Sequence, residues 1–429
     1  MASHLSPFLL IIHRTIAENV ILVGEVRFYV LLTRNVTNWI LKCTPGATFT
    51  PSINYVWKYE NAVKLLMIIP TLDQSGAEKQ FCLLAEGLSI AGIDVEVVVL
   101  TRGGPLEQRL SEAGIPVTIL EKRFRFDLFV LRKLRKIILD RSPDVALSYL
   151  FAGNSSLRLA LLGITRKRPK VLISERCVDS WKSRWQIALD RYLQPFTDLL
   201  IANSESVAEY YQSKGFPAEK IRVVPNGVIV PEMSNLSQKE LCEAANIPIG
   251  SRCIAYIGRL APQKRLKDLL WAIQMLRLSH PDSYLLIIGE GPLKDELLDY
   301  ARTTEAETHV RFLGHRDDAS SLLHLVDAFW LGSEFEGMSN SLMEAMSCGK
   351  PVVVSDIPSN RELVEHGVSG WIANLGDSAG FTQYTVRLLE DAKLSEQIGH
   401  AAQKRMADHF SIQAMVDTTE SILNEITEA

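Results

Sequence analysis

From residue 63 onward, short apolar runs alternate with longer segments in which apolar residues recur every three or four positions. The short runs are rich in Val, Ile and Leu, which is typical of strands buried on both faces of a parallel sheet. The longer segments have the period of helices that bury one face. In the first half of the chain, the predicted strands are residues 65–69, 95–100, 117–120, 145–148, 171–174, 199–202 and 221–224, and the helices between them include 78–90 and 128–139.

A turn-forming sequence, Pro225-Asn226-Gly227, interrupts this pattern before it restarts. Two such series predict an α/β fold with two Rossmann-like, doubly wound domains, whose parallel sheets present their carboxyl ends to a common cleft. We expect domains at residues 63–230 and 231–409, and a final helix at 410–429 that packs back toward the first domain. The second series predicts strands at 253–257, 284–288, 310–312, 328–331 and 352–354, and helices at 266–278, 293–301 and 340–347.

Residues 1–62 fit neither series. Residues 8–12 are apolar, but His13, Arg14 and Glu18 break the apolar run, so the segment matches a signal peptide or a membrane span poorly. We therefore expect an extension outside the two-domain fold. Two explanations stay open, namely a misassigned translation start and a genuine helical segment that associates with a membrane.

Composition narrows the class of protein. A chain of 429 residues is too long for one ordinary hydrophobic core, which agrees with two domains. A net charge of −4 gives no electrostatic support for nucleic-acid binding. The six cysteines lack CxxC spacing, which favours reduced thiols in a cytoplasmic protein over a zinc site or disulfides. No charge-free apolar run reaches the ~18 residues that a membrane-spanning helix needs.

The strongest chemical signal is the segment 336–346 (EGMSNSLMEAM). Gly337 permits a tight loop after the predicted strand, and Ser341 followed by Glu344 predicts a capping box. A helix should therefore begin at about Asn340. Its free backbone N–H groups and its positive dipole end would point into the cleft and bind a diphosphate.

Carboxylates and cations surround this predicted diphosphate site. Glu336 and Glu344 would flank one ligand, and a carboxylate accepts hydrogen bonds from a ribose or sugar diol. The segment 256–264 (YIGRLAPQK) ends a predicted strand and carries Arg259 and Lys264 in the loop after it. Fixed cations there would stabilise the negative charge of a departing nucleoside diphosphate without a metal.

These motifs closely resemble glycosyltransferase family 4, the retaining enzymes with the GT-B fold. The family signature is a pair of glutamates separated by seven residues, which Glu336 and Glu344 match. The resemblance covers roughly residues 63–410. The flanking positions that also fit the family pattern are Ser333, Gly337, Asn340, Ala345, Met346, Gly349, Pro351 and Val352.

The resemblance implies roles for these residues. Glu344 would hold the ribose hydroxyls and Glu336 would lie beside the donor sugar. Arg259 and Lys264 would act on the departing diphosphate. Arg265 stands where the family often has a glycine, which puts the shape of that loop in doubt. The positions whose backbone would lie near sugar and phosphate are Gly337, Met338, Ser339 and Asn340.

Glycine turns at strand ends add weaker signals, because glycines also serve strand-to-helix turns in general. Ser75-Gly76-Ala77-Glu78 resembles the family sequence Gly-Gly-x-Glu, and Gly76 would let the backbone approach phosphate or sugar. Glu78 either caps the helix or lies near the acceptor. The positions that resemble family turns around the nucleotide base are Gly258, Gly289, Gly291 and Leu313.

The acceptor side is less defined. Many relatives carry a histidine just after the strand that this chain has at 171–174, and here Glu175 and Arg176 take its place. Arg176 would meet an acceptor phosphate and Glu175 would contact donor or acceptor hydroxyls. A salt-bridged loop end is the alternative for both.

The segment 122–136 is basic and amphipathic. Such a segment beside the acceptor domain would rest on an anionic membrane, and an ordinary solvated helix face is the alternative. Its cations are Lys122, Arg123, Arg125, Arg132, Lys133, Arg135 and Lys136, interleaved with Phe124, Phe126, Leu128, Phe129 and Leu131.

The resemblance implies a retaining, metal-independent hexosyltransferase that needs no cofactor beyond its nucleotide-sugar donor. Its acceptor would be a glycan or a lipid-linked sugar in cell-surface polysaccharide or glycoconjugate synthesis. We expect a cytoplasmic protein, at the inner face of the membrane if the basic segment binds lipid. The alternatives are a nucleotide-sugar epimerase on the same fold and a non-catalytic protein that binds nucleotide sugars.

Overall fold

The computed structural model describes residues 20–23, 26–29, 63–124, 127–165, 167–178, 182–232 and 237–428. The chain divides into two units, residues 1–57 and 58–429. In the first unit, strands β1 (Val20–Val23) and β2 (Val26–Tyr29) pair antiparallel. The predicted extension, residues 1–62, otherwise lies outside the described residues.

The first sheet of the second unit has seven parallel strands, and its central strands are buried on both faces, as is typical of parallel sheets. These strands are β3 (Lys64–Thr71), β4 (Asp94–Arg102), β5 (Val117–Ile119), β6 (Val145–Tyr149), β7 (Lys170–Glu175), β8 (Leu199–Ala202) and β9 (Ile221–Val223). Their order is β5-β4-β3-β6-β7-β8-β9. The direction of winding therefore reverses between β3 and β6, the position at which ligands bind in open α/β sheets.

Helices cover both faces of this sheet. They are α1 (Gly76–Ile90), α2 (Pro105–Glu112), α3 (Leu128–Arg141), α4 (Leu150–Ala160), α5 (Arg184–Leu193) and α6 (Glu205–Ser213). Alternate residues of β3 belong to different cores, since successive side chains of a strand point to opposite faces. Leu65 and Met67 pack with α1, whereas Leu66 and Ile68 pack with α3 and α4.

The second sheet has six parallel strands in the order of a second doubly wound unit. Its strands are β10 (Arg252–Ile257), β11 (Ser283–Ile288), β12 (Val310–Gly314), β13 (Ala328–Leu331), β14 (Val352–Ser355) and β15 (Trp371–Ala373). The order is β12-β11-β10-β13-β14-β15, so the winding reverses between β10 and β13. Of these six strands, β15 was not predicted, because a segment of three residues is too short to show a pattern of apolar and polar positions.

The remaining helices pack on the second sheet or join the two lobes. They are α7 (Gln238–Ala244), α8 (Leu266–Leu276), α9 (Lys294–Thr303), α10 (Ala319–Leu322), α11 (Asn340–Ser347), α12 (Pro358–Leu363), α13 (Ser378–Glu390), α14 (Ala392–His409) and α15 (Ile412–Glu428). The predicted α/β fold with two doubly wound lobes is confirmed.

Helix α15 packs on the first lobe. Met415, Val416 and Leu423 belong to the same core as α1. A β-carbon at Gly87 of α1 would clash with the Val416 side chain, so this glycine permits the close approach of the two helices. The Val228 N–H donates to the Phe410 carbonyl at 2.9 Å. The two segments that connect the lobes, one at Val228 and one at Phe410, therefore lie side by side.

Candidate functional site

Helix α11 begins at Asn340, directly after the loop that leaves the buried strand β13. Its N-cap is Ser339, whose side chain accepts no hydrogen bond from the helix. The predicted capping box of Ser341 and Glu344 is therefore wrong. Ser341 lies inside the first turn, and the Glu344 carboxylate instead accepts a hydrogen bond from Ser320 Oγ at 3.0 Å. An N-terminus that no side chain caps suits an anionic ligand.

Lys264 and Glu336 form an ion pair at the point where the second sheet reverses its winding. Lys264 comes after β10 and Glu336 after β13, and these two strands are neighbours. The Lys264 Nζ contacts Glu336 Oε1, which also accepts a hydrogen bond from Ser333 Oγ at 2.7 Å. The Glu334 N–H donates to the Gln263 carbonyl at 2.8 Å and ties the two loops together. Glu336 is thereby held in one orientation.

Arg259 lies in the same loop as Lys264, with its side chain exposed. Its carbonyl accepts a hydrogen bond from the Tyr256 hydroxyl at 2.9 Å, and its guanidinium has no partner within the part of the chain that the structure describes. Arg265 has φ 49° and ψ 41°, a left-handed conformation that favours glycine. The glycine that the family resemblance implies at this position would fit the same conformation. An ion pair with Asp268 at 2.6 Å holds Arg265 in place.

The predicted glycine turns have a packing role. A β-carbon at Gly289 would clash with the Gly258 carbonyl, and one at Gly291 would clash with the Leu260 backbone. The loops after β10 and β11 therefore pack backbone against backbone. Leu313 is half-buried beside Ile288. A role of these residues in binding a nucleotide base stays a prediction.

A cavity of about 420 Å³ lies between the lobes. Its wall includes Glu344 and Asn340 of α11, and Ser320 of α10. Lys79 and Gln80 of α1 line it from the first lobe. Sequence reasoning missed Ser320 and Lys79, since neither lies in a motif. Arg259, Lys264 and Glu336 do not line this cavity, so the structure separates the sequence-predicted site residues into two neighbouring groups around α11.

Two glycines let the lobes approach across the cleft. A β-carbon at Gly76 would lie 3.1 Å from Asn340 Nδ2, and one at Gly337 would clash with the Arg176 carbonyl. Met338 and Ser339, the next two residues, are buried. The segment 337–340 thus lies where the lobes meet.

The two acceptor-side candidates have different surroundings. The Glu175 carboxylate is buried, 3.3 Å from Lys182 Nζ and 3.0 Å from Asn154 Nδ2. Glu175 therefore occupies the salt-bridged position that was its alternative. The Arg176 guanidinium lies 5.2 Å from the centre of the Tyr149 ring and donates to Asn226 Oδ1. Burial lowers the pKa of Arg176 from its usual range, because desolvation disfavours the charged form.

Glu78 is held inside the first lobe at the start of α1. Its carboxylate accepts hydrogen bonds from Thr71 Oγ1 at 3.1 Å and from Ser75 Oγ. Burial raises the pKa of Glu78 above its usual range. Both roles predicted for Glu78 stay predictions, since no side-chain cap is present at the N-cap Ser75.

The basic segment leads into α3 and continues along the exposed face of this helix. Phe124, Leu128 and Phe129 are 72%, 65% and 72% exposed, whereas the opposite face of the helix is buried. Arg132 and Lys136 are exposed beside them. Two other cations of the segment donate to backbone carbonyls instead of facing solvent alone. The Arg135 Nη1 donates to the Leu162 carbonyl at 2.6 Å and Lys133 Nζ to the Leu120 carbonyl at 3.4 Å, while Arg125 and Phe126 lie outside the described residues.

The described part of the chain contains neither a candidate metal site nor a helix that could span a membrane. Its residues include no group of three or more His, Cys, Asp or Glu side chains that could hold a metal ion. Among the helices described, none is long and apolar enough to cross a membrane.

Comparison with known proteins bears on both lobes. Residues 74–230 match the family model Glycosyltransferase Family 4, and residues 237–405 match the model Glycosyl transferases group 1. The N-acetyl-alpha-D-glucosaminyl L-malate synthase of Bacillus anthracis is 26% identical over 230 residues, which cover 54% of this chain and 60% of that protein. An N-acetylgalactosaminyltransferase of Campylobacter jejuni, named for an undecaprenol-linked acceptor, is 26% identical over 84% of this chain and 99% of its own length.

Solved structures share the fold. The crystal structure of HepE from Anabaena in complex with UDP superimposes with a TM-score of 0.73 and 22% identity, covering 85% of this chain and 100% of that one. The two family models together span both lobes and the cleft with its signature glutamates. The chain belongs to glycosyltransferase family 4, the enzymes with the GT-B fold.

Proposed function

We propose that the protein is a retaining glycosyltransferase that moves a hexosyl group from a nucleotide-diphosphate sugar to a glycan or lipid-linked acceptor. The observation that carries this proposal is the cavity of about 420 Å³ between the lobes, with Glu344 and the start of α11 in its wall. A cavity of this size suits a nucleotide. The Glu344 carboxylate has capacity beyond its bond to Ser320 to accept from ribose hydroxyls.

The reaction breaks the bond between the anomeric carbon of the sugar and the diphosphate oxygen. Arg259, Lys264 and the N-terminus of α11 stabilise the negative charge that grows on the diphosphate. The acceptor hydroxyl attacks the anomeric carbon from the same face, and the departing oxygen takes its proton. Glu336 Oε1 is engaged by Lys264 and Ser333, which leaves Oε2 to accept from a donor-sugar hydroxyl.

The protein's own cations supply the charge that the departing diphosphate requires, so we propose a reaction without metal or cofactor. Closure of the lobes would exclude water that would otherwise hydrolyse the donor. The Anabaena structures were solved with UDP and with UDP-glucose, which makes UDP the first ligand to try. The Campylobacter relative supports a lipid-linked acceptor, and thereby synthesis of cell-surface polysaccharide or glycoconjugate.

The substitution Glu344→Ala tests the nucleotide site. We expect UDP, GDP or ADP to raise the melting temperature of the wild-type protein and to leave that of the variant unchanged, since the ribose loses its carboxylate partner. Glu396→Ala, an exposed glutamate on α14, is the control and should keep the wild-type shift. A shift that persists in Glu344→Ala would refute the assignment of ribose binding to this residue.

Product analysis separates the proposed transfer from its alternatives. Release of nucleoside diphosphate that depends on an added acceptor supports the transferase. Conversion of the nucleotide sugar without acceptor would indicate an epimerase. Binding with neither release nor conversion would indicate a non-catalytic protein.

We further propose that α3 rests on the inner face of the cytoplasmic membrane. Phe124, Leu128 and Phe129 would enter the lipid interface, and Arg132 and Lys136 would meet anionic headgroups. An exposed solvated helix face is the alternative.

Vesicles that contain anionic phospholipid test this contact. We expect the double variant Leu128→Ser/Phe129→Ser to bind them at least about tenfold more weakly, since each apolar side chain contributes about 1.5–3 kcal/mol on burial. Leu278→Ser, at an 83% exposed leucine of the second lobe, should bind as the wild type does. Equal binding by the double variant and the wild type would contradict the proposal.

A further inference from the structure

A chain of side-chain hydrogen bonds crosses the cleft at Asn226, in the turn after β9. Asn226 is buried, and its Oδ1 accepts from the Arg176 guanidinium. Its Nδ2 donates to Asn340 Oδ1 at 2.8 Å and to the Met338 carbonyl at 3.3 Å. The Asn226 backbone N–H points to Met338 Sδ at 3.3 Å. One side chain thus contacts the acceptor-side candidate and the segment that leads into α11.

Asn340 completes the crossing from the other lobe. Its Nδ2 donates to the Gly76 carbonyl at 3.0 Å, and its Oδ1 also accepts from Gln80 Nε2 at 3.3 Å. Gln80 in turn holds both backbone groups of Gly227, donating to its carbonyl at 2.8 Å and accepting from its N–H at 3.1 Å. The first residue of α11 is therefore held by three groups of the first lobe.

The partners determine the orientation of each amide. A rotated Asn226 amide would direct its N–H groups at the guanidinium of Arg176, which has only donors. A rotated Asn340 amide would place its oxygen against the Gly76 carbonyl. Each bond polarises the next, and the guanidinium at one end makes the first bond charge-assisted. The chain of bonds therefore runs in one direction, from Arg176 through Asn226 to Asn340.

We propose that Asn226 is a positioning residue that sets Arg176 relative to the start of α11. It touches neither reacting group in the proposed mechanism. Instead it holds the guanidinium on the acceptor side and the helix end on the donor side in one geometry. The inference rests on the proposed function for what these two ends bind.

The substitution Asn226→Asp tests this role with almost no change in shape. The new carboxylate still accepts from Arg176, but its second oxygen opposes Asn340 Oδ1 and the Met338 carbonyl. We expect kcat for release of nucleoside diphosphate from a nucleotide sugar to fall on the order of 10²-fold, the loss that a misplacement of about 1 Å produces. The KM for the nucleotide sugar should stay within about threefold, since Glu344, Arg259 and Lys264 are unchanged.

Small-angle scattering gives a readout that does not depend on activity. Asn226→Asp should have a larger radius of gyration than the wild type without ligand, because the link between the lobes is broken. Asn424→Asp, on the exposed face of α15, makes the same change of charge and should match the wild type. If Asn226→Asp does not fold, Asn340→Asp breaks the same chain from the second lobe, at the Gly76 carbonyl, and should likewise enlarge the radius of gyration.

Wild-type kcat and wild-type radius of gyration in the folded variant would overturn the inference. A parallel loss of kcat and of nucleotide binding would also overturn it, since that result indicates general damage to the donor site. Failure of the proposed function is distinct, because the wild-type protein itself would then neither bind UDP, GDP or ADP nor release a nucleoside diphosphate.

Discussion

Replacing Lys264 with alanine is expected to lower the rate of sugar transfer by a factor of about 10²–10³, the usual effect of removing one group that stabilises developing negative charge. The ammonium group neutralises Glu336 and, in the proposed mechanism, the departing diphosphate. Its removal leaves a carboxylate whose side chain is only 14% exposed beside the place where negative charge grows. The measurement is kcat for release of nucleoside diphosphate in the presence of acceptor.

A neighbouring lysine provides the matched control. Lys267 lies in the first turn of α8, pairs with Glu296 and is 45% exposed, so Lys267→Ala removes a cation from the same region without touching Glu336. We expect that variant to turn over at the wild-type rate. Lys264→Ala with wild-type kcat would show that the diphosphate is stabilised by other groups.

Replacing Lys182 with methionine is expected to lower the free energy of unfolding by about 3–5 kcal/mol, the effect of breaking a buried ion pair from one side. The Lys182 side chain is 2% exposed, and its Nζ lies 3.3 Å from Glu175 Oε1 and 3.0 Å from Asp190 Oδ2. Methionine fills a similar volume but leaves Glu175 without this cation. The midpoint of denaturation by urea measures the change.

Lys214→Met is the control for this stability prediction. Lys214 lines the same small cavity as Lys182, but its side chain is exposed and lies 5.0 Å from the centre of the Tyr210 ring. An exposed substitution of this kind usually changes stability by no more than about 0.5 kcal/mol. If both variants unfold at the same urea concentration, the buried ion pair does not stabilise the lobe.

Most of the fold was predictable, because its signals are local. Strand β3 is an apolar run between polar residues. Its successive side chains point to opposite faces of the sheet, so alternate residues belong to two different cores. The start of α11 at Asn340 was also predicted, although the reason given for it was wrong. The pattern of Ser341 and Glu344 matches a capping box in any sequence, but here the N-cap is Ser339, two residues before the serine of that motif.

The candidate site was predictable only in part. The order of the strands places Lys264 and Glu336 on neighbouring loops, so two motifs separated by 72 positions meet. Ser320 was missed because α10 has four residues and no motif. Glu175 pairs with Lys182, a partner that the sequence did not indicate, and its acceptor-side role stays a prediction. Residue types alone do not show that two residues seven positions apart will pair.

The spacing of apolar residues and the position of turn residues determined the two doubly wound lobes and the edge of each sheet that carries the chemistry. These signals are local, because each strand and each helix shows its buried face in its own residues. Tertiary structure alone decided that Asn226 meets Asn340 across 114 positions, and that the glycines at 76 and 337 let the lobes touch. Such contacts depend on how two separately folded sheets pack against each other. That packing depends on side chains far apart in the chain, which no local pattern records.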